Sequence, residues 1–205
     1  MAVEFHNELV DRLEYASQLC QGKRVLDIGG QHPLNHDPLN PFGAAYRKIL
    51  RSAGEYECFD RDNKPNVKYA GDLNTAEGRE YLARTLEDYQ PQIVLCMEIL
   101  EHLNHPHLVM NILATYLNKR KGMEVFITIP NNGNWILNAL NMHQDHNVAF
   151  FKSIAQRFIE RSELGSLPVT MRPCMQKYKW YWWIVFVLAF CQPFNWGFHA
   201  GSSKI

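Results

Sequence analysis

Apolar residues recur every three or four positions from Phe5 through Leu9, Leu13 and Ala16 to Cys20. That spacing predicts an opening helix over 3–20, stopped by Gly22. The pattern then switches. "KRVLDIGG" is a short continuous apolar run ending in Asp27 and a glycine pair, and reads as a buried strand. "AAYRKILRSAG" (44–54) returns to helical spacing and closes on Gly54. "EYECFD" (55–60) is a second strand, again ending in an acid, and "NVKYAGDLN" (66–74) holds a shorter third strand ending near Asp72. Asn74 and Glu77 stand three apart, as in a capping box, ahead of a helix through Tyr89.

"QIVLC" (92–96) is a fourth strand. Pro106 suits the first turn of the next helix, whose inner face is read as Leu108, Ile112, Tyr116 and Leu117. "EVFITIP" (124–130) is a fifth strand, and 150–162 a further helix. Beyond it, "LPVTMRP" (167–173) reads as a strand and "NWGFHAG" (195–201) as a last edge strand. Between them "YKWYWWIVFVLAF" has no clean period, so it fits a buried strand or an apolar helix equally. One helix followed by five β–α alternations calls for a mostly parallel sheet with helices on both faces. At 205 residues the chain fits one domain: the opening helix to 20, an α/β core over 21–162, and C-terminal strands with an apolar segment over 163–205.

Composition narrows the partners. The 21 basic residues balance 21 acidic ones, and no basic run exceeds Lys119-Arg120-Lys121, which argues against a nucleic-acid partner. The five cysteines are odd in number and widely spaced, with no CxxC pair, as expected of a reducing, cytoplasmic setting. The N-terminus carries acids, unlike a secretory signal. The longest apolar run, Trp180 to Cys191, is shorter than the ~20 residues needed to span a bilayer. A soluble protein is expected, with peripheral membrane contact through 178–191 as one use of that aromatic segment.

The chemistry gathers at strand ends. Four successive strands finish in polar groups: Asp27 with Gly29 and Gly30, Asp60, Asp72, and the cluster begun by Glu98. In an open parallel sheet, ligands bind outside the carboxyl ends of the strands. One strand ending in Asp is an ordinary turn; four in order point to one shared site. A glycine after the first strand lets backbone approach a ligand closely. Asp60 can accept two hydrogen bonds from a ribose diol, and Asp72 can accept from an exocyclic amine. No GKS or GKT follows the glycines, so a nucleoside without a phosphate chain is expected.

With its order and spacing, "RVLDIGG…YECFD…GDLN…IVLCMEILEHLNHP…FITIPN" resembles the class I S-adenosylmethionine-dependent methyltransferases over roughly residues 20–162. The resemblance implies a Rossmann-like fold with a seven-stranded, mostly parallel sheet whose last strand is antiparallel. It implies S-adenosylmethionine as cofactor, held by Asp27, Gly29, Gly30, Asp60, Arg61, Asp72, Leu73, Met97 and Glu98. One departure stands out: the family has glycines at alternate positions after the strand-end acid, whereas here Gly29 is followed by Gly30, Gln31 and His32 in a longer, proline-rich loop.

Glu98-x-x-Glu101-His102 further resembles the metal-assisted O-methyltransferases, including small-RNA 2′-O-methyltransferases. By that likeness Glu98, Glu101, His102 and His146 would hold Mg²⁺ or another divalent metal; in relatives without a metal, such residues shape the cofactor and substrate pockets instead. Without a metal, His102 or His146 would be the base. His32, His36 and Asp37 read as polar loop, and His105 and His107 as solvated. The expected activity is methylation of a small-molecule hydroxyl; the alternatives are a methyltransferase-like scaffold without turnover, or an RNA 2′-O-methyltransferase.

Overall fold

A computed structural model describes residues 3–30, 41–64, 67–132, 147–148, 150–175 and 195–201. The elements run β1 (Glu4–Phe5), β2 (Val10–Asp11), α1 (Arg12–Leu19), β3 (Arg24–Ile28), α2 (Pro41–Ser52), β4 (Glu55–Asp60), β5 (Tyr69–Ala70) and α3 (Ala76–Tyr89). They continue with β6 (Ile93–Met97), α4 (Pro106–Lys119), β7 (Glu124–Pro130), α5 (Lys152–Arg161), β8 (Val169–Met175) and β9 (Asn195–Gly201).

One sheet carries the fold, in the order β8-β9-β7-β6-β3-β4-β5, with β1 and β2 both paired to the outer edge of β8. Every pairing is parallel except those of β9, which runs antiparallel to both neighbours. The central strands are apolar on both faces because both are covered. Val25, Leu95 and Phe126 turn toward α1 and α2, packing with Leu13, Ala16 and Ile49. Leu26, Val94 and Ile127 turn the other way, toward Leu82 and Leu86 of α3 and Leu113 and Leu117 of α4.

The ends of the chain depart from the expected pattern. The helix does not span 3–20. Asp11 accepts hydrogen bonds at Oδ1 from the backbone N–H of Leu13 (3.1 Å) and Glu14 (2.9 Å), so the helix starts at Arg12. The residues before it instead add two short strands to the edge of β8, where Glu4 stands opposite Thr170 and Val10 opposite Cys174. An exposed edge of unpaired N–H and C=O groups is a liability, and these pieces cover it. Among the described residues the sheet therefore counts nine strands, against the seven that the resemblance implies. β9 is not an edge strand: it lies between β7 and β8, and its Gly197 leaves room for Phe126 and Cys174.

Two smaller corrections concern helices. The cap of α3 is Thr75, whose Oγ1 accepts from Gly78 N–H (3.0 Å), while Asn74 spends its side-chain oxygen on the N–H of Asn104 (2.8 Å). The inner face of α4 is Val109, Met110, Leu113, Tyr116 and Leu117; Leu108 and Ile112 are only partly buried. Among the described residues no helix is long and apolar enough to cross a membrane. The aromatic stretch 178–191, with Trp180, Trp182 and Trp183, lies outside the described residues, as do Trp135, His32, His36, Asp37, His143 and His146.

At the amino edge of the sheet, Glu124 opens β7 between Lys23 and His199. Lys23 Nζ stands 3.0 Å from its Oε1 and His199 Nε2 3.2 Å from its Oε2, with Tyr15 Oη 3.4 Å from His199 Nδ1. The His199 hydrogen bond, opposed by partial burial and aided by Lys23, holds the Glu124 carboxyl down at about 2. A depressed carboxyl stabilises the fold above its unfolded value, ~4.3, and loses that contribution as pH falls through its folded value. Glu124→Gln should therefore show a shallower loss of stability than wild type between pH ~4.5 and 2, read by denaturant unfolding across that range.

Candidate functional site

Register brings the strand-end groups together. β3 lies between β4 and β6, with Ile28 opposite Phe59 on one side and Cys96 on the other. The residues that follow, Gly29, Asp60 and Met97, thus emerge side by side at one edge. Gly29 N–H donates to the Phe59 carbonyl (2.8 Å), holding the first turn against β4. Asp60 pairs with Ala70 of β5, and Gly71 N–H donates to the Asp60 carbonyl (2.8 Å), which places Asp72 and the buried Leu73 next along the edge. Connections from β3 leave in opposite directions to β4 and, later, to β6, so this edge is where the strand order reverses. Arg61 is exposed, with its guanidinium on Asp62 (3.2 Å).

The acids are not alike. Asp27 is buried, one residue back from the strand end, where Tyr56 donates its hydroxyl to Oδ2 (2.7 Å). Burial pushes its carboxyl up to about 7, against the pull of the Tyr56 hydrogen bond and with a push from Asp60. Asp60 and Asp72 are partly open, and each accepts a local backbone N–H at Oδ1, from Asp62 (3.3 Å) and Asn74 (2.9 Å).

Gly29 has φ +79°, a left-handed conformation that costs a residue with a Cβ about 1–2 kcal/mol. A Cβ there would also run into the side chain of Ile99. What fills the space over this glycine is thus an isoleucine from the β6 corner. Gly30 is buried beside it.

The corner after β6 is built around Glu98, itself at φ +58°. Its N–H donates to the Thr128 carbonyl (2.9 Å). Thr128 Oγ1 donates to its Oε1 (2.9 Å), Asn195 Nδ2 to its Oε2 (2.8 Å), and Arg12 Nη1 stands 3.1 Å from Oε1. Three residues over, Glu101 is fully buried in a 3₁₀ turn over Leu100–His102, its carboxyl accepting no hydrogen bond from another described residue. Burial first, and Glu98's charge second, hold that carboxyl well above the ordinary range. His102 is exposed, its Nε2 3.9 Å from Glu101 Oε1.

The metal set expected from Glu98, Glu101, His102 and His146 is not assembled by its described members. Both oxygens of Glu98 are engaged, one of them by a guanidinium, whose positive charge opposes a divalent cation at the same carboxylate. Among the described residues no three His, Cys, Asp or Glu side chains come together as a metal cluster. His146 lies outside the described residues.

Arg12, Tyr56, Ile99 and Asn195 belong to the site although nothing in the sequence analysis singled them out. Faint signals existed. Arg12 interrupts an apolar stripe next to Leu13, and Asn195 opens an otherwise apolar strand.

A raised carboxyl costs folded stability wherever it must ionise, so the burden of Asp27 grows as pH rises from ~4 to 7. Asp27→Asn should match wild type below pH ~4 and exceed it by on the order of 2 kcal/mol at pH 8, measured by denaturant unfolding at both pH values.

No family model matches the sequence, and no curated protein matches it. Solved structures do. A methyltransferase described as S-adenosylmethionine-dependent, from Archaeoglobus fulgidus, superposes with a TM-score of 0.58 at 16% identity, over 91% of this chain and 89% of that one. A chain from the complex between the Haloferax volcanii Trm112 methyltransferase activator and a methyltransferase gives 0.58 at 12% identity, over 94% and 88%. The small RNA methyltransferase HEN1 gives 0.57 at 14% identity; the match takes in 95% of this chain but 25% of that longer one. Together with the strand order and the antiparallel β9, these likenesses show that the chain has the fold of the class I S-adenosylmethionine-dependent methyltransferases.

Proposed function

We infer that the protein is an S-adenosylmethionine-dependent methyltransferase acting on a hydroxyl of a small molecule. The observation that carries this reading is the convergence of Gly29, Asp60, Asp72 and the Met97-Glu98 corner at the point where strand order reverses. When bound, the cofactor supplies a methyl group already activated on a sulfonium. The residues of this chain then have three tasks. Asp60, partly open at the end of β4, accepts hydrogen bonds from a ribose diol. Asp72 and Leu73 border the adenine, one polar and one apolar. Gly30, Met97 and the backbone of Glu98 line the crevice beside Gly29, and Arg61 flanks its open side.

Asp27 braces this edge from below and sets its charge. A buried carboxyl near neutrality is an unusual expense for a fold, and such groups cluster at functional sites. Acceptor activation falls to a base: His102 at the exposed rim of the 3₁₀ turn, or His146. No step is routed through a metal, because the Glu98 carboxylate is spent on Arg12, Thr128 and Asn195.

One observation favours a second reading, a methyltransferase-like binding protein without turnover. Ile99 packs where a Cβ of Gly29 would lie, and the glycine loop departs from the family pattern at Gln31. An RNA acceptor finds less support, since the HEN1 likeness is one of fold and the net charge is zero.

Calorimetry with S-adenosylmethionine and S-adenosylhomocysteine separates the readings. We expect binding of both, weakened at least tenfold in Asp60→Ala by loss of a charged hydrogen-bond acceptor worth about 1.5–3 kcal/mol, and methyl transfer to a hydroxylated acceptor from a panel of phenols and catechols. Binding without transfer to phenols, catechols or short RNAs supports the scaffold. Absence of binding in wild type and in Ile99→Ala, which clears the space over Gly29, overturns the methyltransferase reading and favours the scaffold.

A further inference from the structure

Large apolar side chains stand exposed at three described positions: Phe5 (37% exposed), Phe151 (44%) and Ile154 (45%). They gather around the start of α5. Phe151 is the residue before its first turn, Ile154 lies in that turn, and Lys152 between them holds its ammonium 3.7 Å from the centroid of the Phe5 ring and 5.5 Å from that of Trp196. Inwardly α5 is anchored by Ala155 and Ile159, so its exposed apolar residues are surplus to its packing. Down the same flank Ile154, Phe158, Arg157, Arg161 and His107 line an open groove of about 430 Å³.

Charge says what this surface is built to meet. The helix carries Lys152, Arg157 and Arg161 against a single acid, Glu160, which accepts a hydrogen bond from Gln156. Several cations elsewhere on the surface are matched, Lys48 with Glu14, Lys68 with Glu57, and Lys119 and Arg120 with Glu87, whereas on α5 three cations share one short helix with a single acid. Lys152, Arg157 and Arg161 have no ion-pair partner among the described residues. Exposed Phe and Ile interleaved with unmatched Lys and Arg on one helix flank is the chemistry of an interfacial helix, whose apolar residues enter the headgroup boundary while cations meet anionic lipid.

Position agrees. Asn132, just past β7, donates its backbone N–H to the Phe150 carbonyl (2.9 Å) and accepts the Phe150 N–H at Oδ1 (2.8 Å), so α5 begins at the carboxyl edge that holds Asp60 and Glu98. Cys174 and Asn195 face each other in the sheet at this same edge.

We propose that the Phe5–Phe151–Ile154 surface, with Lys152, Arg157 and Arg161, docks on an anionic phospholipid membrane and holds the carboxyl edge of the sheet against it. The docking does not depend on the catalytic reading. Co-sedimentation of the full chain with phosphatidylcholine vesicles, with and without phosphatidylglycerol, tests it. The protein should pellet with the anionic vesicles, weakly with neutral ones, and be released by 0.5 M salt as expected where the Debye length shrinks below about 5 Å.

Arg157→Gln/Arg161→Gln should weaken partitioning roughly tenfold or more, and Phe151→Ser/Ile154→Ser should reduce it comparably. The charge-matched control Arg51→Gln/Lys121→Gln, at the opposite edge, should bind like wild type. All six positions are exposed, and unfolding curves verify that the variants fold. The proposal is overturned by equal pelleting with neutral and anionic vesicles, by no pelleting, or by α5 variants that behave as the control does. Binding of a short RNA in place of vesicles, lost in the arginine variant, would also overturn it and reassign the surface to nucleic acid.

Discussion

A single carboxylate holds the carboxyl edge of the sheet together. Glu98 stands at the end of β6 in a left-handed conformation that a non-glycine residue adopts at a cost of order 1–3 kcal/mol. The conformation persists because its surroundings over-determine it. Arg12 reaches it from α1, Thr128 from β7 and Asn195 from β9, and its own N–H is fixed to β7. Three elements remote in sequence are thereby referred to one pair of oxygens. Taking a charge pair out of water is expensive, and Coulomb attraction alone barely offsets it. The arrangement succeeds because the neutral donors Thr128 and Asn195 satisfy lone pairs that the guanidinium does not. The same arrangement aims the next residue, Ile99, over Gly29. The packing over Gly29 and the placement of the N-terminal helix therefore have a common cause.

How much of this was legible in the chain depends on the range of the interaction. Strands β3, β4, β6 and β7 follow from short apolar runs bounded by turn residues, because burial on both faces leaves no alternative reading of "VLDI" or "VFITI". Helices α3 and α4 follow likewise from their period, with Pro106 marking the first turn of α4. The opening segment failed for a physical reason. Phe5 and Leu9 have helical spacing relative to Leu13, but the cap at Asp11 and the bare edge of β8, neither visible locally, together outweigh three turns of helix. "NWGFHAG" reads as a last edge strand, whereas β9 lies between β7 and β8. Its neighbours on both sides are set by topology, and the clue lay in Gly197, needed where Phe126 and Cys174 approach.

The candidate site divides in the same way. Strand-end acids could be grouped from sequence, since parallel topology alone sends the ends of β3, β4 and β6 to one edge. Their differences could not. Asp27 and Asp60 read identically as acids ending strands, yet one sits a residue deeper, loses water and gains Tyr56, while the other stays partly open. Nor could the commitments of Glu98 be foreseen. The ExxEH spacing is compatible with a metal cradle or with a packed corner, and the Arg12 that pairs with Glu98 stands more than eighty positions earlier.

β9 and α1 explain why the two edges of the sheet can behave differently. β9 gives Asn195 to the Glu98 corner at one end and His199 to Glu124 near the other. α1 does the same with Arg12 and Tyr15, whose ring also packs edge-on against Phe126. Helix and strand are thus pinned at both edges, with the apolar layer of Leu13, Phe126 and Cys174 between. At the amino edge the pins are ionic and partly solvated, so salt and acid reach them. At the carboxyl edge the Glu98 carboxylate is about as open as Glu124, but its cation Arg12 is nearly buried and the neutral donors Thr128 and Asn195 hold it as well, so screening reaches this pin less. A sheet fastened in this way can present its strand ends as a fixed surface while adjoining chain segments adjust. The rigidity that a binding edge requires is supplied from the far side of the sheet as much as from the residues that line the edge itself.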